Sequence, residues 1–169
     1  MPKSGLSSEQ LRIKFSAVTN SQDSIQTTSQ WILGNKNHIG EIIDSWEAAT
    51  IKSDHEHRLT LLYLANDVVQ NCRRKNPALL SRSFSFIQAR FDWMFVAQWQ
   101  ERMEIVFKHL THHSIRPQVE KVVNVLDSRA VFPKDSITRI RESLQTAKEL
   151  HKGTKLFSIV YLTFYPRKV

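Results

Sequence analysis

Only one cysteine, four glycines and five prolines occur among the 169 residues. With Cys72 alone, no internal disulfide can form and no cysteine-rich zinc site can be built, so a reducing compartment is the expected setting. The scarcity of glycine and proline argues against an all-β chain built on tight turns, and against collagen-like or linker-like character. Neither GxGxxG nor GxxxxGK(S/T) is present, which removes the phosphate-cradling loops of nucleotide-binding folds. GxSxG, HExxH and any Cys/His arrangement of known spacing are missing as well, leaving an enzymatic reading with no nucleophile and no metal ligand set. The first residues, Met1 to Leu6, carry no apolar run of the kind a signal peptide needs. The longest apolar-rich stretch, Leu156–Tyr165, is about half of what spans a bilayer. The expectation from these absences is a soluble intracellular protein.

What is present is apolar, helical in period and basic. Apolar residues make up 41% of the chain, enough for a real core. Lys and Arg number 24 against 16 Asp and Glu, a formal charge of +8 that suits an anionic partner: nucleic acid, acidic membrane, or a phosphorylated or acidic protein. Helical patterns separated by short polar joints run through most of the sequence. The first begins near Ser7, where Ser7-Ser8-Glu9-Gln10 fits a capping box and Leu11, Phe15 and Val18 follow at helical spacing. A second spans about Gln22–Leu33 and stops at Gly34-Asn35. A third covers about His38–Ala49 and buries Ile39, Ile42, Ile43 and Trp46. Ser53-Asp54-His55-Glu56 reads as another capping box, opening a fourth helix that runs to about Cys72. A fifth starts near Pro77, a favourable first-turn position. The aromatic-rich segment from Phe86 to His113 is helical in character, Pro117 opens a further helix, and the last spans about Asp135–His151. After Gly153 the chain turns β-branched and aromatic without a helical period. The expectation is all-α, seven to eight helices, with one domain over residues 1–152 and an apolar tail over 153–169.

The fourth helix carries the functional argument. At about 100° per residue, Leu61, Leu64, Ala65, Val68 and Cys72 share one side, which Leu62 and Val69 widen into a broad arc. So wide an apolar face packs against several helices at once. Opposite it, Tyr63, Asp67, Gln70 and Arg74 fall within roughly 60° of one another, flanked by Asn66 and Asn71. A phenol, a carboxylate, amides and a guanidinium on one narrow strip can all hydrogen-bond to a ligand. A plain solvated face is the alternative, weakened by how little of a helix this apolar is left for water.

The same residues carry a resemblance. Leu59-Thr-Leu-Leu-Tyr-Leu-Ala-Asn-Asp-Val-Val-Gln-Asn-Cys-Arg-Arg-Lys75 resembles the signature helix of the RNA polymerase II C-terminal-domain-interacting domain, the CID. The likeness is to its subgroup of regulation of nuclear pre-mRNA domain-containing proteins. Val18-Thr-Asn-Ser-Gln-Asp-Ser-Ile-Gln26 followed by Trp31 is similar to that family's first joint and second helix. Glu120-Lys-Val-Val-Asn-Val-Leu-Asp-Ser-Arg-Ala-Val-Phe132 is similar to its penultimate conserved helix. The resemblance covers about residues 7–151 and implies a right-handed superhelix, of the general kind seen also in ENTH and VHS domains. It further implies a non-enzymatic nuclear module without cofactor or small-molecule substrate, which binds phosphorylated Tyr-Ser-Pro-Thr-Ser-Pro-Ser heptads of the polymerase tail in transcription regulation or pre-mRNA 3′-end processing.

Residue by residue, the resemblance implies that Asp67 accepts a hydrogen bond from the heptad tyrosine. Tyr63, Asn66 and Val68 would line the pocket around that ring, and Asn20 and Gln22 would meet peptide backbone. Gln70, Asn71 and Arg74 would extend the groove toward phosphate. Where the family carries a phosphate-binding arginine, this chain has Lys121, a point charge without the bidentate guanidinium fork. Arg129, further along the same helix, is kept and would meet a second phosphate or an acidic flank. The stretch from Ser83 to Ile115 is longer than the family pattern, and Asp92–Trp99 has no counterpart in it. In place of the subgroup's coiled-coil dimerisation region stands the apolar tail, so dimerisation by that route is not expected.

Other signals weigh less. His109, His112 and His113 have helical spacing, but without a matching carboxylate pattern they read as a solvated helix end rather than a metal site. Cys72 lies on the apolar side of its helix and reads as a structural thiol. An acidic-phospholipid or trafficking adaptor of the ENTH/VHS kind remains the alternative. Against it, Asp67 in the middle of the stripe suits a phenol donor and would repel a lipid phosphate. RNA binding through charge lacks an evident recognition module or aromatic platform.

Overall fold

The computed structural model describes residues 6–74 and 86–146, with the backbone alone described for 73, 74 and 86–92. These residues form seven α-helices: α1 (Ser8–Ser16), α2 (Gln22–Gly34), α3 (Ile39–Lys52), α4 (His55–Arg74), α5 (Phe86–Phe107), α6 (Arg116–Ser128) and α7 (134–146). A single 3-10 turn, Lys36–His38, joins α2 to α3, and no strand occurs among the described residues. The helix expected from Pro77, the end of the last helix toward His151, and the 153–169 tail lie outside the described residues.

The order of packing makes the shape. α1 packs on α3, α2 on α4, α3 on α5 and α4 on α6, so each helix stacks on the second one after it. Lateral contacts of α3 with α4 and of α4 with α5 close the layers. This is how a chain of short helices winds into a superhelix, and it makes α4 the helix with neighbours on most sides. Its apolar arc is accordingly in the core: Leu59, Leu61, Leu62, Leu64, Ala65, Val68, Val69 and Cys72 are all buried. Each large side chain so removed from water contributes about 1.5–3 kcal/mol. Trp46 of α3 sits at the centre, fully buried, its indole Nε1–H donating to the Leu61 carbonyl at 3.0 Å and its ring edge-on to Trp99 of α5 at 5.0 Å.

Capping residues set the joints. Ser7 and Gln10 form the expected capping box, each side chain bonded to the other's backbone N–H. The α4 cap is one residue later than the sequence suggests: Asp54 Oδ1 accepts from the His57 N–H at 2.9 Å, and the Ser53 hydroxyl instead donates back to the Ala49 carbonyl. A carboxylate at the positive end of a helix is the stronger cap, and Ser53 is still engaged with the preceding helix. At Gly34-Asn35 the chain does not turn left-handed but continues into the 3-10 turn, with Asn35 at φ −111°. The aromatic-rich segment is one unbroken helix, α5, which stops at Phe107, short of the expected end at His113. Pro117 lies in the first turn of α6 as expected.

Two side chains of the α4 first turns tie the layers together. Arg58 donates to the Thr50 carbonyl (3.1 Å) and the Ile51 carbonyl (2.7 Å) at the end of α3, and to the His109 carbonyl (3.1 Å) beyond α5. Those carbonyls are groups that helix ends leave unsatisfied. His57 sets a ring nitrogen 3.0 Å from the Phe15 carbonyl at the end of α1. His55 stacks on His112, ring centroids 3.9 Å apart. The first-turn histidines are thus half-buried joints.

Candidate functional site

Of the polar stripe of α4, Tyr63 and Asp67 are half-buried, while Gln70 is buried and reaches the end of α6. Tyr63, Asn66, Asp67 and Asn71 are half-buried, neither in the packed interior nor fully in water. Burial raises the Tyr63 phenol pKa, which keeps it neutral and able to donate. Asp67 Oδ2 accepts from Asn71 Nδ2 at 2.6 Å, one turn along the same helix. That bond fixes the carboxylate's orientation and leaves it further acceptor capacity.

One turn further, Gln70 is only 8% exposed, and both ends of its amide are bonded. Its Nε2 donates to Asn66 Oδ1 at 2.7 Å, while its Oε1 accepts from Arg129 Nη1 of α6. The Asn66–Gln70–Arg129 chain therefore joins α4 to the C-terminal end of α6. A Schellman ending holds Arg129 in place: Val131 N–H donates to the Leu126 carbonyl, Ala130 N–H to the Asp127 carbonyl, and Ala130 takes the left-handed conformation at φ 47°. Lys121 lies two turns earlier on α6, exposed and without a hydrogen bond or ion pair among the described residues.

At the other expected contact region, the Thr19–Ser24 joint is pinned before α2. Ser21 Oγ accepts from the Ser24 N–H, Ser24 Oγ from the Thr19 N–H, and the Thr19 and Ser21 hydroxyls lie 3.0 Å apart. Asn20 and Gln22 stand exposed on that fixed turn, and α2 packs directly on α4. Val68 has no exposed surface, so it can shape the trough only from behind. The Arg74 side chain lies outside what is described.

The structure also shows residues that the sequence reading passed over. Arg141 of α7 sets Nη2 3.2 Å from Asn124 Oδ1 and 2.9 Å from Asp127 Oδ2, both on α6. Arg116 of α6 donates to Glu120 Oε1 at 3.0 Å and to the Leu144 carbonyl of α7. Seventeen residues separate Asn124 from Arg141, and only the antiparallel pairing of α6 with α7 brings them together.

Comparison with known proteins gives consistent results. A family model described as the CID domain matches residues 9–140. Regulation of nuclear pre-mRNA domain-containing protein 2 of Mus musculus is 34% identical over 140 residues, covering 83% of this chain and 8% of that protein. Regulation of nuclear pre-mRNA domain-containing protein 1A of Homo sapiens is 30% identical over 154 residues, covering 89% of this chain and 44% of that protein. The chain therefore matches less than half the length of these relatives. Among solved structures, the CTD-interacting domain (CID) of Seb1 from S. pombe superposes with a TM-score of 0.65 at 16% identity, over 83% of this chain and 94% of that one. At that identity the likeness concerns the all-α superhelical fold.

Proposed function

This chain belongs to the CID domain family, and from that premise we propose that it is a binding module for the phosphorylated heptad-repeat tail of RNA polymerase II. In this reading it acts in the nucleus, in transcription regulation or pre-mRNA 3′-end processing, and has no catalytic step. The module occupies residues 1–152, and the apolar tail 153–169 stands outside it. The carrying observation is the state of Asp67: a half-buried carboxylate, oriented by Asn71, on the α4 face whose next turn is bridged to α6 through Gln70 and Arg129. A tyrosine hydroxyl is a fitting donor for such an acceptor, and the neutral amides around it suit a peptide backbone.

Asn20 and Gln22 on the α2 joint, and Tyr63 and Asn66 on α4, would frame the peptide, with Val68 supporting the floor from the core. Asn71 would extend the groove and Gln70 would brace it from its buried position, while Arg74 is kept as a proposed phosphate contact from the resemblance alone. Lys121 is an open cation for a phosphate, whereas Arg129 is already engaged by Gln70 and acts first as a strut between the helices. Few charge-assisted contacts to a mobile peptide give modest affinity, on the order of micromolar to hundreds of micromolar. The family membership supports this reading over the acidic-lipid adaptor, as does the carboxylate at the middle of the stripe.

Fluorescence anisotropy with labelled two-heptad peptides tests it. Asp67→Ala is expected to weaken phosphorylated and unphosphorylated peptides alike, by about tenfold, the worth of one hydrogen bond to a charged group. Unchanged affinity for both would remove Asp67 from the site.

A further inference from the structure

We propose that Arg141, on α7, is a specificity-determining residue of this site: it supplies, together with Lys121, the guanidinium that holds a phosphate on the bound peptide. This rests on the peptide-binding reading above and assigns a role to a residue outside the α4 stripe.

The geometry runs through the α6–α7 pair. Asp127 of α6 bonds to Lys134 and Arg141, Asn124 to Arg141, and Arg116 to the carbonyl of Leu144. Successive levels of α6 thus meet successive levels of α7 in antiparallel order. Lys121 lies between the Asn124 level and the Arg116 level, and it is three residues from Asn124, so their side chains are neighbours on the helix surface. The Arg141 guanidinium, seated on Asn124, is therefore about one helical turn from the Lys121 stem.

The two cations differ in a useful way. Lys121 is exposed and makes no ion pair among the described residues, but its ammonium offers no planar fork. Arg141 is half exposed, and its described bonds use Nη2 alone, to Asn124 Oδ1 and Asp127 Oδ2. Its Nε–H and Nη1–H donors make no bond among the described residues, so each can still reach a single phosphate oxygen. Anchored on one edge, the guanidinium has lost much of its rotamer freedom before a ligand arrives, which lowers the cost of binding. The acids nearby do not cancel the pair. Glu120 is engaged by Arg116, Asp127 is shared between Lys134 and Arg141, and Glu142 is exposed beside Arg141 on α7. A phosphate dianion bridging Lys121 and the open edge of Arg141 completes the set.

The test compares wild type, Arg141→Gln and Arg141→Lys in anisotropy titrations with two-heptad peptides, unphosphorylated or carrying one phosphoserine, alongside thermal melting of each variant. The expected result is that Arg141→Gln weakens the phosphopeptide fivefold or more and changes the unphosphorylated peptide by less than twofold. Arg141→Lys, which keeps the charge and loses the guanidinium anchored on Asn124 and Asp127, should recover less than half of that loss. Equal weakening of both peptides with a lowered melting temperature would show a structural role and overturn the inference. So would an unchanged phosphopeptide affinity, while leaving heptad binding by the wild type intact. A wild type that binds neither peptide would remove the peptide-binding reading itself. Arg141-dependent binding to vesicles containing a phosphoinositide, without peptide binding, would reassign the site to a membrane.

Discussion

Ala130 shows how much one backbone angle can decide. At φ 47° it occupies a region where a Cβ is disfavoured, and it does so to let Val131 and Ala130 close the end of α6 onto Leu126 and Asp127. Ala130→Gly should therefore stabilise the fold by about 0.5–1 kcal/mol, raising the melting temperature by about 1–4 °C. A lower melting temperature would mean that the alanine methyl contributes packing worth more than the strain. This ending was not legible in the sequence, because glycine is the residue that announces it. By contrast, the Ser7–Gln10 box was legible, since both partners lie within four residues. The same locality explains the Asp67–Asn71 bond, whose i, i+4 spacing a helical wheel displays. It also explains why Gln70 with Arg129, and Asn124 with Arg141, stayed hidden: their meeting depends on how helices pack, which no local period encodes.

At the scale of elements, the joints matter more than the helices they connect. Arg58 satisfies three carbonyls at once, at the ends of α3 and beyond α5. Arg58→Ala should cost about 2–3 kcal/mol in urea denaturation, since it leaves partly buried acceptors without a donor. Arg58→Lys should recover only part, because an ammonium cannot reach three carbonyls in one plane. A loss under about 0.5 kcal/mol for Arg58→Ala would show that water replaces the guanidinium without cost.

Glu104 makes the corresponding joint between α5 and α7. Burial alone would raise its pKa, but Arg139, with bonds of 2.8 and 2.9 Å, together with Ser136 and Gln100, outweighs that and holds the carboxyl below its ordinary value. A depressed folded-state pKa contributes stability that is present above the unfolded value, near 4.5, and is lost as pH falls through the folded value. Melting temperature should thus drop on acidification below about pH 4.5 more steeply in wild type than in Glu104→Gln. Parallel pH profiles would remove Glu104 from the acid response. The element boundaries themselves followed the sequence closely where apolar period and caps agreed, as in α2 and α6. They departed where two candidate caps stood side by side, as at Ser53 and Asp54.

For the whole molecule, stacking each helix on the second one after it places α2, α4 and α6 along one another, and the polar stripe of α4 lies in that row. Along that row the pinned joint before α2 and the Gln70–Arg129 tie lie on either side of the α4 stripe's helix, and in the proposed reading Lys121 and Arg141 would add cations from the α6–α7 pair. The fold class and the stripe were readable from periodicity and from the long motif Leu59–Lys75. The Gln70–Arg129 and Asn124–Arg141 ties were not, because their partners are distant in the chain. The whole chain carries a net charge of +8, which in the proposed reading favours an anionic partner.

The measurement that tests this account most directly is a double-mutant cycle by fluorescence anisotropy, pairing wild type and Asp67→Ala with two-heptad phosphopeptides that carry either tyrosine or phenylalanine at the heptad tyrosine. The account predicts that removing the phenol oxygen weakens binding to wild type by about tenfold and changes binding to Asp67→Ala by less than twofold, the difference being the hydrogen bond itself. Equal losses in both proteins would contradict it, for the tyrosine hydroxyl would then have its partner somewhere other than Asp67.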